Sequence, residues 1–212
     1  MKRLIASLVL FACLTLPGLA AAEPLRVMAY GDSLIHGYGL PPGEAFPVQL
    51  EAALREQGYD VTVINAGNSG ETTAGGLLRL AWTLEEDPDI VVLCLGANDM
   101  LRGLDPAKAE ANLAKILEEL ERRDIRVLLA GMRAHRGLGQ DYVQAFDAIY
   151  PELAERYGVT LYPFFLEGVA ARPDLNQGDG IHPNAEGVAL IVQQMLPSLL
   201  PLLEKERAEA GS

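Results

Sequence analysis

The chain has 212 residues, half of them apolar, with 29 acidic against 17 basic side chains and a net charge of −12. That length and apolar fraction suffice for one domain with a full core. The acidic balance argues against nucleic acid as a partner, because phosphate binding needs clustered Lys and Arg. It also gives no electrostatic attraction to anionic membrane surfaces.

In chain order, the first feature is a secretory pattern. Lys2 and Arg3 are followed by the apolar stretch Leu4–Leu16 and by the small residues Ala20-Ala21-Ala22. The apolar stretch is shorter than the ~20 residues a membrane span needs. Residues 1–22 are therefore expected to be a cleaved signal peptide, with no stable membrane anchor. A lipid anchor through Cys13 is disfavoured, because Phe11 stands where a small residue is expected. The mature chain, 23–212, is expected to be a single periplasmic or secreted domain. Losing Lys2 and Arg3 with no acid takes the net charge from −12 to −14. Cys94 is then the one remaining thiol, inside an apolar run, and reads as a buried small hydrophobe. No Cys/His cluster has zinc spacing.

Short apolar runs then alternate with longer amphipathic ones. Strands are predicted at Leu25–Tyr30, Val61–Asn65, Ile90–Leu95, Arg126–Gly131 and Val159–Tyr162, each bounded by Gly, Asp or Pro. Continuous apolar strands suit a parallel sheet covered on both faces. Helices are predicted at Phe46–Gln57 before Gly58, Thr73–Leu84, Asp105 to about Arg123, Tyr142–Tyr157 before Gly158, and Asn184–Leu202. From about Glu204 the chain is polar and expected to fray. Trp82, at an apolar helical position, is expected in the core. The alternation argues for an α/β fold with a mostly parallel sheet, whose site lies at the carboxyl ends of the strands.

The chemistry-bearing residues obey that rule. Ser33 follows the first strand in Gly31-Asp32-Ser33-Leu34, Gly70 follows the second, and Asn98 follows the third. Serine is a weak nucleophile until a base takes its proton, and the base needs an orienting group. Asp179-Gly180-Ile181-His182 supplies both, because one turn can set the Asp179 carboxylate against one imidazole nitrogen. Donors for an oxyanion are available from the Ser33 and Gly70 backbone N–H groups and the Asn98 amide. Each feature also has a plain reading: a capping serine, a turn glycine, a turn asparagine, a surface histidine. Their shared position on one sheet edge favours catalysis. His36 is expected to be structural, and Asp32 and Asp99 to be loop or cap carboxylates.

Four blocks in order carry a resemblance that covers nearly all of residues 25–202. They are Gly31-Asp32-Ser33-Leu34, Asn68-Ser69-Gly70-Glu71-Thr72, Gly96-Ala97-Asn98-Asp99 and Asp179-Gly180-Ile181-His182-Pro183-Asn184. The chain resembles the SGNH (GDSL) hydrolases, most closely the bacterial periplasmic thioesterase I/lysophospholipase/arylesterase subgroup. The resemblance implies a flavodoxin-like three-layer α/β/α sandwich with a mostly parallel five-stranded sheet. It implies Ser33 as nucleophile, His182 as base, Asp179 as its orienter, and Ser33, Gly70 and Asn98 as oxyanion donors. The expected substrate is a small-molecule acyl ester or thioester, taken by a monomer that needs neither metal nor cofactor. Ala97 stands where many relatives carry glycine. Segment 133–139 lacks the Pro-Asn-Tyr character expected of the loop lining the acyl pocket, which bears on chain-length preference. Leu40, Leu101, Leu104 and Leu138 favour an apolar acyl group over the acetyl group of a carbohydrate O-acetyl esterase. A non-catalytic binding protein would not need the constellation, and nothing suggests a peptide groove.

Overall fold

The computed structural model describes residues 23–210. The signal-peptide assignment falls on residues 1–22, outside the described residues. Five strands form one sheet among them: β1 (Leu25–Gly31), β2 (Val61–Gly67), β3 (Ile90–Cys94), β4 (Arg126–Ala130) and β5 (Thr160–Tyr162). Their spatial order is β2-β1-β3-β4-β5, and each neighbouring pair is parallel. The longer helices are α2 (Phe46–Glu56), α3 (Thr73–Thr83), α5 (Pro106–Arg122), α6 (Gln140–Tyr157) and α7 (Ala185–Ala210). Two short helices, α1 (Ser33–His36) and α4 (Ala97–Leu101), have no counterpart in the sequence reading, because four or five residues carry no measurable period.

Helices cover both faces of the sheet. On one side α2 packs with α7, and on the other α5 packs with α3 and α6. This explains why β3 is buried at every position and why Val27 to Tyr30 of β1 have no exposed surface. Cys94 is one of these buried residues and carries a free thiol.

The strand order sets the site. The chain leaves β1 toward β2 and returns from β2 to β3 on the opposite side of β1. The connections therefore diverge at the carboxyl ends of β1 and β3, which opens a crevice there. Gly31 is level with Gly67 of β2 and Cys94 of β3, so three loops begin at one height. Gly31 is needed for this close approach. A Cβ there would lie 2.4 Å from the Cys94 carbonyl oxygen and 2.5 Å from Ile35 Cγ1.

Two expectations are corrected. Trp82 is 72% exposed rather than core. The buried stripe of α3 runs through Thr73, Gly76, Leu80 and Thr83, and a residue two positions past Leu80 points away from it. The polar tail after Glu204 does not fray: α7 continues to Ala210. Arg126, at the start of β4, pairs with Glu206 and lies 2.6 Å from Glu209, which anchors the last turns to the sheet. By length and composition α7 would also suit a membrane span. Its apolar stripe is instead used in the core, where Ile191, Met195, Leu199 and Leu203 are fully buried.

Replacing Gly31 by Ala should destabilise the protein by about 1–3 kcal/mol through overpacking. Urea unfolding with an unchanged m-value would show it.

Candidate active site

Ser33 is the first residue of α1, and Asp32 is its N-cap, its Oδ1 accepting from the Leu34 N–H at 3.0 Å. The strand thus turns sharply into a helix and leaves the serine hydroxyl at the crevice. At this helix position the Ser33 N–H has no intrahelical acceptor.

Asp179 and His182 stand on a loop closed at its base by an antiparallel bridge between Asn176 and Pro183. The Gln177 N–H donates to the His182 carbonyl at 2.7 Å and the Asn184 N–H to the Leu175 carbonyl at 3.0 Å. Asn184 then caps α7, accepting from the Gly187 N–H at 2.9 Å. Within this loop the Asp179 carboxylate accepts from the Ile181 and His182 N–H groups, both at 3.0 Å. Its other oxygen lies 2.6 Å from His182 Nδ1, and His182 Nε2 lies 2.9 Å from Ser33 Oγ. The carboxylate can only accept, so Nδ1 carries the proton and Nε2 accepts from the Ser33 hydroxyl.

The hydrogen bond from His182, then those from the two backbone N–H groups, hold the Asp179 carboxyl down at about 2. It is therefore ionised throughout the neutral range although partly exposed. The Tyr38 ring lies 4.8 Å from the His182 ring, and the Tyr38 carbonyl accepts from Gln177 Nε2 at 2.8 Å. Both contacts tie the histidine loop to the chain leaving α1. Asn176, Gln177 and Tyr38 were not singled out in the sequence, since their roles depend on contacts across long chain separations.

Asn98 is the second residue of α4, facing Ser33 across the crevice. Its Nδ2 donates to Asp32 Oδ2 at 3.2 Å, which leaves the second amide hydrogen for another acceptor. Asp32 is fully buried, and desolvation raises its carboxyl from 3.8 to about 6, against the pull of the Leu34 and Asn98 hydrogen bonds. Expected as a cap, Asp32 caps and also orients Asn98. Asp99 is a buried acceptor for the N–H and hydroxyl of Thr73, bonding α4 to α3. His36 contacts Ser69 Oγ at 3.2 Å, beside the site.

Gly70 has φ +79° in the turn Asn68–Glu71, a conformation that suits glycine. The Asn68 N–H donates to the Gly31 carbonyl at 2.9 Å, and Arg102 Nη2 donates to the Gly70 carbonyl at 2.6 Å. Gly70 thus sits beside the segment that carries Ser33 but does not line the groove described next. Its N–H is unspent among the described residues.

A groove of about 490 Å³ contains Ser33, Asn98 and His182. Its apolar wall includes Met100, Leu101, Met132, Phe164, Leu166 and Ile181. Arg133, Ala134, His135 and Arg136 line it as well, so the segment without Pro-Asn-Tyr character does border the groove. Of the four leucines expected near the acyl group, only Leu101 lines this groove. Leu40 lies in a small hollow behind His182, and Leu104 and Leu138 line neither. Among the described residues, no group of three or more His, Cys, Asp or Glu side chains is placed to hold a metal ion.

An imidazole set between a carboxylate and a serine, at the carboxyl edge of a doubly wound parallel sheet, defines the class as serine hydrolase. The sequence profile of the GDSL-like Lipase/Acylhydrolase family matches residues 29–190. An arylesterase of Vibrio mimicus is 42% identical over 195 residues, covering 92% of this chain and 96% of its own. Esterase TesA of Pseudomonas aeruginosa is 40% identical over 201 residues, covering 93% and 99%. The crystal structure of AlinE4, an SGNH-hydrolase family esterase, superposes with a TM-score of 0.73 at 48% identity, covering 88% of this chain and 98% of that one. The chain belongs to the GDSL-like lipase/acylhydrolase family.

Replacing Asp32 by Asn should lower kcat about tenfold or more with little change in KM, since Asn98 loses its anionic acceptor. The folded state holds the Asp32 proton more tightly than the unfolded state, so the wild type loses stability as pH rises from about 4 to about 6. The Asn variant lacks this loss. Its stability relative to wild type should rise over that interval, as read by urea unfolding at several pH values.

Proposed function

We propose that Ser33 is the nucleophile of an esterase acting on aryl esters, acyl thioesters and lysophospholipids through an acyl-Ser33 intermediate. The observation that carries this reading is the continuous chain from Asp179 through His182 to Ser33 Oγ at the end of a largely apolar groove. The acyl chain lies along Met100, Met132 and Phe164. Its carbonyl carbon reaches Ser33 Oγ, and the hydroxyl proton passes to His182 Nε2. Charge developing on the carbonyl oxygen is met by the Ser33 and Gly70 N–H groups and the free hydrogen of Asn98 Nδ2. The imidazolium, stabilised by Asp179, protonates the departing oxygen or sulfur. Water then enters by the same route in reverse and releases the acid. No step calls for a metal or cofactor.

In this reading residues 1–22 are a cleaved signal and 23–212 are a single domain that works as a monomer in the periplasm or outside the cell. The names of the relatives, esterase and arylesterase, support the ester substrate class.

Residues 23–212 should hydrolyse p-nitrophenyl esters and palmitoyl-CoA, with Ser33→Ala reduced to background. A profile rising from acetyl toward longer acyl groups is expected from the apolar wall. Activity confined to acetyl esters would instead favour an O-acetyl esterase, and no turnover by folded protein would overturn the reading. Asp179→Asn should lower kcat about 10⁴-fold by favouring the wrong imidazole tautomer. Asp179 stays charged to about 2. The acid limb of kcat/KM should therefore owe nothing to Asp179, while protonation of Asp32 as pH falls below about 6 contributes to it.

A further inference from the structure

One buried and one partly buried charge near the reaction centre take no part in that mechanism. Glu71 directly follows Gly70 and its side chain is 4% exposed, while Arg79 on α3 is 19% exposed. Charges this far from water persist only when paired and hydrogen-bonded. Arg79 Nε reaches Glu71 Oε1 at 2.8 Å and Oε2 at 2.7 Å, and Nη2 reaches Oε2 at 2.6 Å.

The remaining donors of Arg79 reach the strand ends. Nη2 donates to the Ala66 carbonyl at 2.7 Å and to the Gly31 carbonyl at 3.2 Å. Nη1 reaches Thr83 Oγ1 at 3.3 Å, and the guanidinium carbon lies 4.1 Å from the centre of the Tyr30 ring. From the other side, Glu71 Oε1 accepts from Asn68 Nδ2 at 3.0 Å. Gly75 packs so closely that a Cβ there would be 3.0 Å from Glu71 Cγ. The pair thus joins three things: the residue before Asp32-Ser33, the end of β2, and both ends of the turn that carries Gly70.

We propose that Arg79, acting through Glu71, is a positioning residue that holds the Gly70 N–H at the height where it meets the oxyanion on Ser33. Fold stability alone gives little reason for such a pair, since apolar residues of the same size serve a core as well or better. A rigid fork that engages a carboxylate and two carbonyls together is a different matter, and lysine cannot reproduce it. The proposal rests on the reading of Gly70 as an oxyanion donor.

The test compares Arg79→Lys, Glu71→Gln and the paired replacement Arg79→Met/Glu71→Leu, which leaves no orphaned charge. Asn98→Ala serves as a control that removes a different donor. kcat and KM are measured on a p-nitrophenyl ester per site titrated with a fluorophosphonate, so misfolded protein is not counted. Inhibition by an alkyl trifluoromethyl ketone, whose serine adduct carries an oxyanion, is measured in parallel. Each Arg79 or Glu71 variant should lose kcat on the order of tenfold or more, keep KM within about twofold, and bind the ketone more weakly by a similar factor. An unchanged kcat per titrated site, or a kcat loss without weaker ketone binding, would overturn the proposal. If Asn98→Ala loses kcat and the Arg79 and Glu71 variants do not, the positioning role alone fails. Full activity in Asn98→Ala would count against the oxyanion reading itself.

Discussion

Everything at this site hangs from the carboxyl end of β1, where the chain must leave the sheet without leaving its neighbours. Gly31 lies so close to β3 that no side chain fits between them. Its carbonyl accepts from the Asn68 N–H and from Arg79, so the loops after β1 and β2 share one anchor. The β3 loop is tied in by the bond from Asn98 to Asp32. Three chain segments far apart in sequence therefore meet with little freedom at the serine. Preorganisation of this kind is what makes donors effective toward a charge that exists only in the transition state.

Two aspartates near the serine illustrate how environment divides labour. Asp32 is sealed under α1, and loss of water raises its carboxyl to about 6. Asp179 lies at the surface, where an imidazole and two backbone N–H groups hold it near 2. The first arrangement costs stability at neutral pH and fixes Asn98. The second lends stability above the unfolded-state value and loses it as pH falls toward 2. A buried carboxylate that would be better neutral for folding, retained beside the serine, is the signature of a site shaped for function.

The strand cores were legible in the sequence because both-face burial writes continuous Val, Ile and Leu runs, as in Ile90 to Cys94. Helix caps were legible for similar local reasons: Asp105 before Pro106, and Asn184 before α7. The four motif blocks pointed to Ser33, Gly70, Asn98, Asp179 and His182, and the fold brings Ser33, Asn98 and His182 to one groove. Trp82 was misread because its chemistry, not its angle on the helix, suggested the core. The helical tail was misread because the residues that hold Glu206 and Glu209 belong to β4, some 80 positions earlier in the chain.

Local chemistry thus determined the order of elements, the family and the residues of the candidate site, since each depends on residues a few positions apart. Tertiary structure alone decided which leucines border the groove, that Asp32 orients Asn98, and that Arg79 grips the ends of two strands. Those facts depend on distances between segments separated by tens of residues. Such distances are set by sheet order and helix packing, which no single stretch of sequence contains.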